Sequence, residues 1–227
     1  MTTTLNKYIY PLFVLLLLIS ILVAYIVSKY VVDKSKKLVT IYGGVSNNID
    51  SDIGYKQQLH YLALHLDNKF NYLIPNDKTG AIGYLLDTLE QTDKSQNIET
   101  TTFVRPEGGS EAVNKHYKIT YFDTILEFEN DLLTRSDIGI FLPGGIGTNY
   151  ELSYTLFVML EKIDERLVIL FNINGAFDYI INKVEKLHTD GYLKPGVYEL
   201  YKQNCIVVKS SKEIIALLDK KYDSLYI

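Results

Sequence analysis

Residues 137–151 read Asp137-Ile138-Gly139-Ile140-Phe141-Leu142-Pro143-Gly144-Gly145-Ile146-Gly147-Thr148-Asn149-Tyr150-Glu151. An apolar run over 137–142 ends in a proline and three glycines, and an amphipathic stretch over 149–163 follows. A strand without polar alternation is buried on both faces, and a helix directly after it covers one of those faces. This is the repeating unit of a parallel α/β sheet.

The same alternation extends in both directions. Toward the amino end the pattern predicts strands over 37–42, 71–74, 101–104 and 118–122, with helices over 55–70, 80–89 and 123–134. Toward the carboxyl end it predicts strands over 166–171 and 205–208, with helices over 176–188 and 211–221. The fold class expected is therefore α/β, a doubly wound, Rossmann-like parallel sheet occupying residues 38–227. No internal repeat or low-complexity tract interrupts it.

Sheets of this kind bind ligands at the carboxyl ends of their strands. Three such ends carry glycine: Gly43 and Gly44, then Gly80 and Gly83, then Gly144, Gly145 and Gly147. The third loop opens a helix, whose free amides favour an anion such as phosphate. Its spacing is neither that of a P-loop nor that of the dinucleotide fingerprint. Thr148 and Glu151 stand three apart and also read as a capping box, which would account for both. That reading leaves the glycines and Pro143 unexplained.

The amino-terminal residues are of another kind. The 21 residues from Tyr8 to Ser28 carry no charge, and 18 of them are apolar. As a helix they span about 31 Å, the thickness of a bilayer's hydrocarbon core. Tyr8, Tyr10, Tyr25 and Tyr30 sit near the two ends, and no small-x-small cleavage site follows. The expected organisation is a short tail (1–7), a transmembrane helix (8–28), a basic linker (29–37) and the α/β domain (38–227). Lys29, Lys34, Lys36 and Lys37 follow the span and Lys7 alone precedes it, which places the domain in the cytosol. Residues 1–37 carry a net +4, so the remainder carries −8 of the total −4 and is a poor general binder of nucleic acid. The lone Cys205 excludes a disulfide scaffold. His60, His65, His116 and His188 show no metal-ligand spacing.

Pro-Gly-Gly-x-Gly-Thr-x-x-Glu over 143–151, between a strand and a helix, resembles the signature of the Lonely Guy (LOG) phosphoribohydrolases, a family also described as lysine-decarboxylase-like. Tyr42-Gly43-Gly44-Val45-Ser46 is similar to its first glycine-serine turn, and Thr79-Gly80-Ala81-Ile82-Gly83 to the second half of its first glycine loop. Residues 171–177 and 190–193 resemble two later segments. The resemblance implies hydrolysis of the N-glycosidic bond of a nucleoside 5′-monophosphate, giving base and ribose 5-phosphate. It implies that Gly144, Gly145, Gly147 and Thr148, with Gly44, Ser46, Gly80 and Gly83, hold the nucleotide, and that Glu151 is the catalytic carboxylate at the ribose. It implies a homodimer, with no metal or redox cofactor.

The resemblance fails at one place that bears on chemistry. The family carries an Arg-Lys pair on the helix before the motif strand, and a gapless count places Phe128 and Glu129 there. Neither side chain replaces a guanidinium in holding phosphate. Lys78, Arg105 and Arg135 are the nearby cations of the sequence. Two functions therefore stand side by side: a membrane-anchored phosphoribohydrolase, and a catalytically degenerate nucleotide sensor or interaction module.

Overall fold

The structure, a computed structural model, describes residues 18–20, 36–45, 51–92, 97–103, 117–161 and 166–226. The chain divides into two units, Met1–Asp33 and Lys34–Ile227. Of the expected span over 8–28, residues 18–20 are described, as helix, and the rest lies outside the described residues. Among the described residues no helix is long and apolar enough to cross a membrane.

The second unit runs β1 (Leu38–Tyr42), α1 (Ile53–His65), β2 (Asn71–Pro75), α2 (Gly80–Gln91), β3 (Ile98–Phe103), β4 (Ile119–Phe122), α3 (Ile125–Arg135) and β5 (Ile138–Phe141). It continues through α4 (Ile146–Leu160), β6 (Leu167–Phe171), a short 3₁₀ turn (Ile173–Gly175), α5 (Asp178–Thr189), α6 (Val197–Asn204), β7 (Cys205–Val208) and α7 (Ser211–Tyr226). The strands form one sheet in the order β4-β3-β2-β1-β5-β6-β7, and every pairing is parallel. The chain winds outward from β1 through β2 and from β5 through β6 to opposite edges. Between β1 and β5 the order reverses, which opens a crevice at their carboxyl ends.

Strand alternation divides the core into two layers. Val39, Ile41, Ile74 and Ile140 face Leu59 and Leu62 of α1, Leu85 of α2 and Ile214 of α7. Tyr42, Leu73, Phe141 and Leu170 face Leu132 of α3, Leu152 and Leu156 of α4, Val184 of α5 and Tyr201 of α6. Each fully buried side chain of this size contributes about 1.5–3 kcal/mol relative to exposure, so both layers stabilise the sheet. Tyr42 and Phe141, paired across β1 and β5, stack at 4.4 Å with planes 8° apart.

Four sequence expectations are corrected. Helix α1 stops at His65, not at residue 70, because the Asp67 carboxylate accepts from the Lys69 amide and closes a turn. Leu66 and Phe70 keep the apolar pattern going by burying from non-helical backbone. Strand β3 begins at Ile98 rather than 101, since its threonines pair with β2 as well as β4. Helix α6, absent from the expected elements, starts after Gly196, whose φ of +82° turns the chain sharply. Helix α4 starts at Ile146, not Asn149, and this changes the reading of the glycine loop.

Candidate functional site

Because Tyr42 and Phe141 are level, the segments after them leave the sheet side by side. The Gly44 amide donates to the Pro143 carbonyl at 3.1 Å, and the Gly44 carbonyl accepts from Ala81 in the first turn of α2 at 2.9 Å. Only glycine fits at the crossing: a Cβ on Gly44 would lie 3.0 Å from the Gly144 Cα, and one on Gly144 2.2 Å from Thr148 Oγ1. The two loops thus form one backbone-on-backbone floor. Above it opens a cleft of about 760 Å³, walled by Gly44, Asp52, Tyr55, Asn76, Asp77, Phe103, Phe128, Glu129 and the loop from Pro143 to Glu151.

The amino-cap of α4 is Gly145, and no side chain caps that helix. Thr148 is therefore in the first turn and Glu151 in the second, and the capping box expected between them does not form. The capping box that does form lies on α3, between Thr124 and Glu127. Among the described residues the first amides of α4 have no side-chain cap, and they lie beside a cleft. Gly145 has φ −94°, open to any residue, and a Cβ on Gly145 or Gly147 would meet no atom within 4 Å. The fold does not demand glycine at these two positions. What their small size keeps open is space along the cleft.

Glu151 is 6% exposed and lines the cleft. Burial first, and then the charge of Glu129, push it up to about 8. Glu129 is half-buried, its Oε2 is buried without a hydrogen-bond partner, and burial pushes it up to about 7. Desolvation disfavours the charged form of both, and two like charges in one cleft reinforce the effect. Beneath them the Tyr42 hydroxyl donates to the Leu132 carbonyl at 2.9 Å, and burial holds this phenol far above its ordinary value.

The other two carboxylates of the cleft are occupied. Asp52 caps α1 by accepting from the Tyr55 amide at 2.8 Å and also accepts from Asn174 at 3.0 Å. Asp77 accepts from both the amide and hydroxyl of Thr79 at 2.9 Å. Phe128 is buried and packs against Phe103 with ring centroids 5.4 Å apart, forming an apolar wall with Ile125. Among the described residues lining the cleft there is no lysine or arginine. Nor is there, among the described residues, a group of three or more His, Cys, Asp and Glu able to hold a metal.

Of the residues singled out in the sequence, Gly44, Gly144, Gly145, Gly147, Thr148 and Glu151 line this cleft together. Gly80 and Gly83 do not. Gly80 takes φ +65° to start α2, and a Cβ on Gly83 would lie 2.2 Å from the Lys78 carbonyl carbon, so both serve the architecture under the cleft. Ser46 and Arg105 lie outside the described residues. Lys78 is exposed and is not among the lining residues. Arg135 is engaged by Glu99 and Asp131 at the far end of α3. Phe128 and Glu129, counted as the sites of a lost pair, both face the cleft. Tyr55 was missed: its hydroxyl is buried without a hydrogen bond at the cleft wall, and nothing in the sequence sets it apart from 18 other tyrosines.

Comparison with known proteins agrees with this geometry. The family model described as "Possible lysine decarboxylase" matches residues 85–218, more than half of the chain. The cytokinin riboside 5′-monophosphate phosphoribohydrolase LOG5 of Arabidopsis thaliana is 28% identical over 93 residues, which are 41% of this chain and 39% of that protein. The match thus spans about two-fifths of that relative's length. Among solved structures, the molybdenum cofactor carrier protein of Chlamydomonas reinhardtii superposes with a TM-score of 0.56 at 11% identity, over 82% of this chain and 97% of that one. A molybdenum cofactor binding protein from the phototrophic bacterium Rippkaea orientalis gives 0.53 at 14% identity, over 83% and 98%. At these identities the two structures share a fold with this chain. The glycine loop at the switch point and the family match across it lead to one assignment: the chain is a divergent, LOG-like member of the possible lysine decarboxylase family.

Proposed function

We propose that this chain is a membrane-anchored protein that binds a nucleoside 5′-monophosphate in the cleft and hydrolyses its N-glycosidic bond to free base and ribose 5-phosphate. The observation that carries the reading is the amino end of α4. Its amides lack a side-chain cap, glycines that the fold does not require keep the approach open, and a buried carboxyl stands one turn further on. The amides of Gly145, Gly147 and Thr148 would hold the phosphate, with the macrodipole of a 15-residue helix behind them. Glu151 then lies at the ribose, where cleavage develops positive charge, and Phe103 and Phe128 offer the base an apolar wall. The name of the Arabidopsis relative supports the substrate class.

A second reading rests on Phe128 and Glu129, which a gapless count from Pro143 puts at the positions of the family's Arg-Lys pair. Without that pair the chain is a nucleotide sensor or interaction module. One assay separates the two. Full-length protein is incubated with AMP and with a cytokinin riboside 5′-monophosphate, and ribose 5-phosphate and the melting temperature are measured. Release abolished by Glu151→Ala supports the hydrolase. Stabilisation by AMP without release supports the sensor. Neither response refutes both.

Two further parts of the proposal rest on surface chemistry. The uncharged run over 8–28 anchors the chain, with the α/β domain on the cytosolic side. Alkaline extraction should leave the full-length chain in the membrane fraction, and its release would count against an anchor. Ile146, Tyr150 and Phe157 expose 90%, 49% and 59% of their surface along α4, and Leu126 exposes 73% on α3. Such a stripe beside the cleft suits a homodimer. Phe157→Glu should then shift the sedimentation of the protein from dimer to monomer, and a parent that sediments as a monomer refutes the pairing.

A further inference from the structure

Helix α3 carries three carboxylates, and two have structural employment. Glu127 closes the capping box with Thr124, and Asp131 pairs with Arg135 at 3.2 Å. Glu129 has none. Among the described residues its Oε2 is buried without a hydrogen bond, and it lines the cleft together with the buried Glu151. An unpaired buried carboxyl lowers stability, and a pair of them lowers it further. Such an arrangement is characteristic of a functional site rather than of packing.

We infer that Glu129 is a second catalytic group of the cleft: Glu151 delivers a proton to the departing base while Glu129 accepts one from the attacking water. The inference rests on the phosphoribohydrolase reading and deepens it. The more deeply buried Glu151 holds the pair's proton in the free site, leaving Glu129 ionised. As the C1′–N bond breaks, its electron pair leaves with the base, which takes the Glu151 proton. The Glu151 carboxylate so formed faces the positive charge at C1′. A water oxygen bonds C1′ and passes its proton to Glu129, and the proton returns through solvent to Glu151. The sum is nucleotide plus water to base plus ribose 5-phosphate, with nothing oxidised or reduced. The chain thus replaces the cationic pair of its family by an acid–base couple.

Of the other titratable groups around the couple, among the described residues, Tyr55 on α1 has a buried hydroxyl that makes no hydrogen bond, and burial holds it far above its ordinary value, so it stays neutral; the rest are held by their own partners. Tyr42 on β1 donates to Leu132, Asp52 before α1 accepts from Tyr55 and Asn174, and Asp77 after β2 accepts from Thr79. Arg166, before β6, donates to the Leu133 carbonyl at 2.5 Å. Burial raises both carboxyls of the couple above their ordinary value, Glu151 further than Glu129.

The test is the pH profile of ribose 5-phosphate release by full-length protein from AMP and from a cytokinin riboside 5′-monophosphate, between pH 5.5 and 9.5. The parent should show a bell with its maximum between about 7 and 8. Glu129→Gln should lower kcat about 100-fold, leave KM within about threefold and erase the ascending limb, and Glu129→Asp should restore that limb. AMP should still raise the melting temperature of Glu129→Gln. A variant that keeps the ascending limb and a kcat within tenfold of the parent overturns the inference while the hydrolase reading stands. A parent stabilised by AMP but unable to release ribose 5-phosphate overturns the inference and leaves the sensor.

Discussion

Replacing Glu151 by glutamine should stabilise the protein in alkaline solution while abolishing its turnover. The carboxyl titrates at about 8 in the fold against an ordinary 4.5, so the folded state binds its proton more tightly than the unfolded chain does. The stability this contributes is complete below pH 4.5 and is lost as the pH rises through about 8. At about 1.4 kcal/mol for each pH unit between the two values, ionising Glu151 in place costs up to about 5 kcal/mol. Exchange of charge with Glu129 and local relaxation reduce this, and about 3 kcal/mol is the working figure. Glutamine keeps the shape and cannot ionise. The stability difference between Glu151→Gln and the parent should therefore grow by about 3 kcal/mol between pH 5 and pH 9, or about 6–12 °C in Tm for a domain of this size. Thermal melts of both proteins, followed by circular dichroism at pH 5, 6, 7, 8 and 9, provide the comparison. Melting curves that stay parallel across the series, or a variant less stable than the parent at pH 9, would refute the claim that burial raises the carboxyl.

Other substitutions probe separate parts of the structure. Gly83→Ala sets a methyl group against the Lys78 backbone and should cost at least about 2 kcal/mol, seen as a Tm lowered by more than about 4 °C. Thr124→Ala removes the one capping box described on α3 and should cost about 1 kcal/mol by urea denaturation. Phe128→Arg with Glu129→Lys restores cations at positions that face the cleft. It should tighten AMP about tenfold at pH 8, although the lost packing on Phe103 costs about 3 kcal/mol of stability. An unchanged affinity for AMP would count against the alignment of α3 with the family's helix.

The fold was legible because its central strands are nearly solid apolar runs. Val39, Ile41, Ile138, Ile140, Val168 and Ile169 need cover on both sides, and that need fixes a parallel sheet before any contact is known. Boundaries were less legible where burial outlasts a helix, as at Leu66 and Phe70. The loop from Gly144 to Glu151 stood out by composition, but the role of Thr148 did not. Thr-x-x-Glu is the same local pattern whether it caps a helix or sits inside its first turns. The start of the helix decides between the two, and Gly145 rather than Thr148 is the cap. The couple of Glu129 and Glu151 was not legible at all. The two residues are 22 positions apart, on the helices before and after β5, and only the folded chain sets both in the cleft wall. Glu129 could be seen in the sequence only as the absence of a lysine.

The most direct test of the central claim is calorimetric titration of AMP into full-length parent and Gly147→Val protein. Among the described residues a Cβ at residue 147 meets no atom within 4 Å outside its own helix backbone, and valine is a better helix former than glycine, so the variant should fold with a Tm equal to the parent's or slightly above it. The same side chain occupies the space assigned to the phosphate, so AMP should bind at least tenfold more weakly. Equal affinity in parent and variant, with Tm unchanged, would contradict the account by showing that the nucleotide does not sit on the amino end of α4.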